Sequence, residues 1–134
     1  MAALSTIEGI GDAYEAKLKE VGIASIEDLL ESGSTPQGRD KIAESSGISG
    51  SLILKWTNHA DLMRIKGVGG EYSELLEAAG VDTVPELATR NAANLHAKMV
   101  EVNGTKKLVR NVPTDNQVAD WVTQAKALPR KINY

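Results

Sequence analysis

Ile7-Glu8-Gly9-Ile10-Gly11 and Ile65-Lys66-Gly67-Val68-Gly69 are one five-residue pattern written twice, 58 positions apart. At the same offset Tyr14 falls on Tyr72, Leu18 on Leu76, Gly22 on Gly80, Ile23 on Val81, Ser25 on Thr83 and Leu29 on Leu87. Further along the register becomes 65, pairing Ser49 with Thr114, Ile53 with Val118, Trp56 with Trp121 and Ala60 with Ala125. The second copy has therefore gained about seven residues. A fixed internal period means one supersecondary unit repeated, so the chain reads as two copies, residues 1–62 and 63–134.

Each copy reads as helical throughout. After the first Gly-x-Gly, the spacing of Ala13, Ala16, Leu18 and Val21 predicts an apolar helix face. Gly22 then supplies the left-handed residue that commonly ends a helix. Ser25 with Asp28, and Thr83 with Glu86, have the spacing of capping boxes that open a short helix. Thr35-Pro36 places a cap before a proline at the first helical position and opens a third. Ser49, and Thr114 with Gln117, open a fourth that carries the tryptophan. Asn103-Gly104 reads as a turn inside the extra residues of the second copy. No stretch alternates with β-branched enrichment, so the expected fold class is all-α without a sheet. Residues 61–65 contain no Pro/Gly/Ser linker, which predicts a continuous helical junction and two bundles packed together.

At 134 residues the chain can bury a real core. With no Phe, two Trp and three Tyr, that core is expected to be built from Leu, Ile, Val and Ala. The absence of cysteine excludes disulfides, a thiolate nucleophile and Cys-ligated zinc. No apolar run approaches the roughly 20 residues that cross a bilayer, and the start lacks a secretory pattern, so a cytoplasmic location is expected. His59 and His96 have no second metal ligand at helical spacing and no evident triad partner. The expectation is a protein that is not an enzyme, with no cofactor, metal or small-molecule substrate. Trp56 and Trp121 read as core anchors rather than base-stacking platforms, because a duplicated fold keeps its core first. Tyr14 and Tyr72 are expected to pack their rings under the glycine turns with the hydroxyl outward.

The pattern apolar-x-Gly-apolar-Gly, with a helix expected on either side in the second copy (about 49–63 and 71–79), resembles the helix-hairpin-helix motif of DNA repair and recombination proteins. Over nearly its full length the chain is similar to an uncharacterised bacterial family built of two tandem helix-hairpin-helix, SAM-like units. The stretches IEGIGDAYEAKLKEVGIASIEDLLESGSTPQGRDKIAESSGIS and LMRIKGVGGEYSELLEAAGVDTVPELATRNAANLHAKM carry the likeness. Residues 18–29 also resemble the carboxy-terminal domain of the bacterial RNA polymerase alpha subunit.

Glycines let a chain turn tightly and leave nothing between backbone and ligand. The amides of such a turn and of the helix that follows converge on an anion. The resemblance implies phosphate contact through Gly67, Val68 and Gly69, with Lys66 and Gly70 beside them and Gly9, Ile10 and Gly11 as a second set. Lys98, Lys106, Lys107 and Arg110 form a basic stretch, with only Glu101 against them, that could track a DNA backbone. Charge is divided unevenly. Residues 1–64 hold 6 Lys/Arg against 10 Asp/Glu, whereas 65–134 hold 9 against 8.

Two functions follow. One is sequence-independent DNA binding through hairpin amides. The other is a protein-interaction or scaffolding adaptor with purely structural hairpins, favoured by the net charge of −3 and by Asp12, Glu15, Glu71 and Glu74 after the glycines.

Overall fold

A computed structural model describes residues 3–134. Among these the chain is all-helical. A short 3-10 turn, Leu4–Thr6, precedes eight helices: α1 (Asp12–Glu20), α2 (Ile26–Ser32), α3 (Pro36–Ser46), α4 (Gly50–Leu62), α5 (Gly70–Ala78), α6 (Val84–Ala88), α7 (Ala92–Lys106) and α8 (Asp115–Ala127). The bounds of α1 and α5 differ by 58 and those of α4 and α8 by 65, the two registers of the sequence repeat. The extra length of the second copy lies in α7, four residues longer than α3, and in the segment after it, five longer than its counterpart, while α6 is two shorter than α2.

Two compact units result. The first is Met1–Asp61 with Lys131–Tyr134, and the second is Leu62–Arg130. In the first, α3 packs on both α1 and α2. Ile53, Trp56 and Ala60 form one buried face of α4, at the i, i+3, i+7 spacing of a helix stripe. In the second unit α8 packs on α6 and α7, and α5 on α7. Val118, Trp121 and Ala125 repeat the α4 stripe, joined by Leu62, Ile65, Val68, Leu75, Leu76, Leu87, Leu95 and Met99 in one core. Trp56 and Trp121 are 1% and 2% exposed, so both are core residues. Each carries a tyrosine on its ring, Tyr14 at 5.0 Å and Tyr72 at 5.3 Å between centroids.

Helix starts follow the side chains that cap them. Ser25 Oγ accepts from the Asp28 amide at 3.1 Å and Thr35 Oγ1 from Gly38 at 3.0 Å, with Pro36 at the first helical position. Thr114 and Gln117 form a complete capping box. Gly22 and Gly80 take positive φ just past the ends of α1 and α5.

Three local expectations fail. Thr83 makes no side-chain cap, and Glu86 instead accepts from the amide of Asp82 at 3.2 Å, one residue before the cap position. Ala13 and Ala16 are exposed, leaving Leu18 as the buried residue of α1, because a nine-residue helix touching few neighbours covers only a narrow stripe. Asn103 and Gly104 lie inside α7, not in a turn. The Asn103 side chain accepts from the Val109 amide at 3.0 Å and donates to the Val109 carbonyl at 3.1 Å, so it anchors the segment beyond the helix. Lys107, at φ 51°, makes the turn itself.

Candidate functional site

The second Gly-x-Gly turn is fixed from below by apolar side chains. Ile65 and Val68 are buried in the core of their unit. The Ile65 amide donates to the Leu62 carbonyl and the Val68 amide to the Ile65 carbonyl, each at 3.1 Å. Gly67 between them stands at φ +99°, and a Cβ there would lie 3.0 Å from Trp121 Nε1. Its glycine is therefore demanded twice, by the left-handed backbone and by the indole beneath it. Gln124 of α8 clamps Lys66, accepting from its amide at 2.9 Å and donating to its carbonyl at 3.1 Å.

Gly69 differs in kind. It is the N-cap of α5 in extended backbone, φ −104°, and a Cβ there would meet nothing within 4 Å. Neither strain nor crowding asks for glycine. The effect of glycine is to leave α5 without a side-chain cap, whereas α2, α3, α7 and α8 are capped by Ser25, Thr35, Asn91 and Thr114. The first amides of a helix have no intrahelical acceptor and carry the positive end of its dipole.

This helix start opens on a cleft of about 410 Å³ lined by Gly67, Gly69, Gly70, Glu71, Tyr72, Arg110 and Asn111. Arg110 and Asn111 come from the segment between α7 and α8, which is held in several places. Asn103 grips Val109 as described, and Tyr72 donates its hydroxyl to the Asn111 carbonyl at 2.9 Å. His96 of α7 meets the Pro113 carbonyl through Nε2 at 2.8 Å and Asp115 Oδ1 through Nδ1 at 2.7 Å. Both ring nitrogens face oxygen acceptors, so the ring can donate to both only when both nitrogens carry protons.

Of the residues marked on the sequence, the structure gathers Gly67, Gly69, Gly70 and Arg110 on this cleft. Val68 contributes its buried side chain to the core, and its amide is taken by Ile65. Lys66 is exposed beside the turn with its amide taken by Gln124. Lys98, Lys106 and Lys107 do not line the cleft. Lys98 lies 3.9 Å from Glu101 along α7, and the other two stand at the helix end. Asn111 and Gln124 had no signal as site residues in the sequence, because each acts only through a partner 39 to 58 positions away.

The first turn repeats the build with other charges. Gly9 stands at φ +96° with its Cβ position 3.5 Å from Trp56 Nε1, and the Ile10 amide donates to Ile7 at 3.2 Å. Gly11 is the uncapped start of α1, again with nothing near its Cβ position. Here, however, Asp12 and Glu15 occupy the first turn of the helix, where their own charge meets the helix dipole. The one nearby cation with a ring contact, Lys17, stands 5.9 Å from the Tyr14 ring.

Among the described residues no three His, Cys, Asp or Glu side chains cluster as a metal site, and no helix is long and apolar enough to cross a membrane. No curated protein and no solved structure matches the chain. Residues 8–128 match the model of a domain of unknown function, DUF4332, and the chain belongs to that family.

Proposed function

We propose that both Gly-x-Gly turns are of the helix-hairpin-helix class, and that the second binds the phosphate backbone of DNA without reading its sequence. The observation that carries this reading is the bare start of α5. Gly69 could be almost any residue, yet it leaves the first amides of the helix uncapped beside a cleft whose lining includes Arg110. Backbone amides and one guanidinium suit a phosphate oxygen and carry no base preference. Val68 and Ile10 support the turns from within, and the bound oxygen meets the amides from Gly69 onward. Glu71 on the same cleft opposes an anion, so the affinity is modest and falls as salt is raised.

The test is binding of a labelled random-sequence duplex of about 30 base pairs at about 50 mM and about 200 mM salt. Gly69→Asp, which places a carboxylate on the same amides without straining the backbone, runs beside it. Binding at low salt that vanishes in the folded variant supports the reading, and equal binding by the variant refutes it.

A second reading, a protein-docking adaptor, draws on α1, whose first turn carries Asp12 and Glu15 and suits a basic partner. No duplex binding at low salt, with capture of one defined basic protein, would favour it.

A further inference from the structure

The segment between α7 and α8 is eight residues long, 107–114, against three, 47–49, between α3 and α4. Its course is set at two buried points. Val109 lies in the core of the second unit with both main-chain groups bonded to Asn103, and Pro113 is buried with its carbonyl against His96 Nε2. Between these anchors Arg110 and Asn111 are exposed. A surface arc held only at its ends, with few buried contacts between them, keeps a mobile tip. The third attachment is the Tyr72 hydroxyl, which donates to the Asn111 carbonyl at 2.9 Å, next to Arg110.

Tyr72 also belongs to the other half of the site. It is the third residue of α5, and the Ser73 amide makes that helix's first main-chain bond, to the Gly69 carbonyl at 2.9 Å. The amides of Gly70, Glu71 and Tyr72 lie before that bond, at the uncapped end. The Tyr72 ring rests 5.3 Å from that of Trp121, whose Nε1 stands beneath Gly67. One side chain thus joins the glycine turn, the helix start and the Arg110 segment. In the first copy Tyr14 keeps the ring contact with Trp56, at 5.0 Å, but segment 47–49 there is Gly-Ile-Ser and has no cation to place.

We propose that Tyr72 is the positioning residue of the second turn: its hydroxyl fixes the arc that carries Arg110 to the cleft, so that the guanidinium and the α5 amides engage one phosphate backbone together. The inference rests on the DNA-backbone reading above and adds the residue that couples the two halves of that site. A cation whose main chain is already in place costs less ordering when the ligand arrives. Without the hydroxyl the arc stays attached at Val109 and Pro113, so the fold persists while Arg110 loses its fixed base. The loss is bounded by the net worth of one hydrogen bond, at most about tenfold in affinity.

The experiment uses the full chain with Tyr72→Phe, which keeps the ring on Trp121 and removes only the hydroxyl. Binding of a random-sequence duplex of about 30 base pairs is measured from about 50 mM to about 200 mM salt. The unmodified chain, Tyr72→Phe, Arg110→Ala and the double variant are compared, and NMR order parameters are recorded for each without DNA. Tyr72→Phe should weaken binding about threefold to tenfold and move the salt slope toward that of Arg110→Ala. It should add nothing in the Arg110→Ala background. The order parameters of Arg110 and Asn111 should fall while those of α8 stay unchanged. Binding by Tyr72→Phe equal to that of the unmodified chain, or the same loss with and without Arg110, overturns the proposal. Weakened binding with unchanged order parameters overturns it too, since the hydroxyl would then meet the DNA itself. Failure of the unmodified chain to bind duplex is a separate result, which sinks the DNA reading and this inference with it.

Discussion

The two glycines of the second turn should respond oppositely to the same substitution. Serine at position 67 must take φ +99°, a conformation that costs a non-glycine residue about 1–3 kcal/mol. Its Cβ would also sit 3.0 Å from Trp121 Nε1, so the indole or the turn must give way in a packed core. Together the two effects put Gly67→Ser at about 2–4 kcal/mol of destabilisation. Serine at position 69 enters extended backbone with open space around its Cβ. There it can cap α5, worth a few tenths of a kcal/mol over glycine, and it restricts the unfolded chain, for a net gain of about 0.5–1 kcal/mol. The assay is urea unfolding at unchanged slope, followed by Trp121 fluorescence in a Trp56→Phe background. Gly9→Ser and Gly11→Ser, followed by Trp56 fluorescence in a Trp121→Phe background, should repeat the pattern in unit 1, with a smaller cost at position 9, where the indole nitrogen is 3.5 Å away. Equal losses at positions 67 and 69 would refute the division of the motif into a structural glycine and a spatially unconstrained one.

If the α5 amides bind phosphate, Gly69→Asp should abolish duplex binding at about 50 mM salt while helicity by circular dichroism is unchanged, and Arg110→Ala should weaken binding and lower the salt slope by about one. Asn103→Ala removes both side-chain bonds to Val109, so the Val109 amide should exchange faster and the unit should lose about 1–2 kcal/mol in urea titration. Thr114→Ala breaks a complete capping box and should cost about 1 kcal/mol, whereas Thr83→Ala, at a start with no side-chain cap, should cost clearly less in the same titration.

What could be read along the chain is what depends on near neighbours. Helical period, the Thr35, Ser25 and Thr114 starts, and Gly22 and Gly80 at helix ends all involve residues within four positions of one another. The repeat added the tryptophans, because equal places in two copies marked them as core before any contact was known. Asn103-Gly104 shows the limit of local reading. Propensity favoured a turn there, but an asparagine that bonds both main-chain groups of Val109 serves better inside the last turns of α7.

The sequence by itself determined an all-helical chain with two matching glycine turns, since periodicity and capping are encoded within a few residues. Only the tertiary structure decided which of those glycines matter for packing and which residues share a surface. Trp121 comes under Gly67 from 54 positions on, Arg110 and Asn111 line one cleft with Gly69, and Asn133 reaches Arg39 across 94 positions. Such pairings are set by how the helices pack, and packing depends on the whole set of buried side chains rather than on any stretch of the chain.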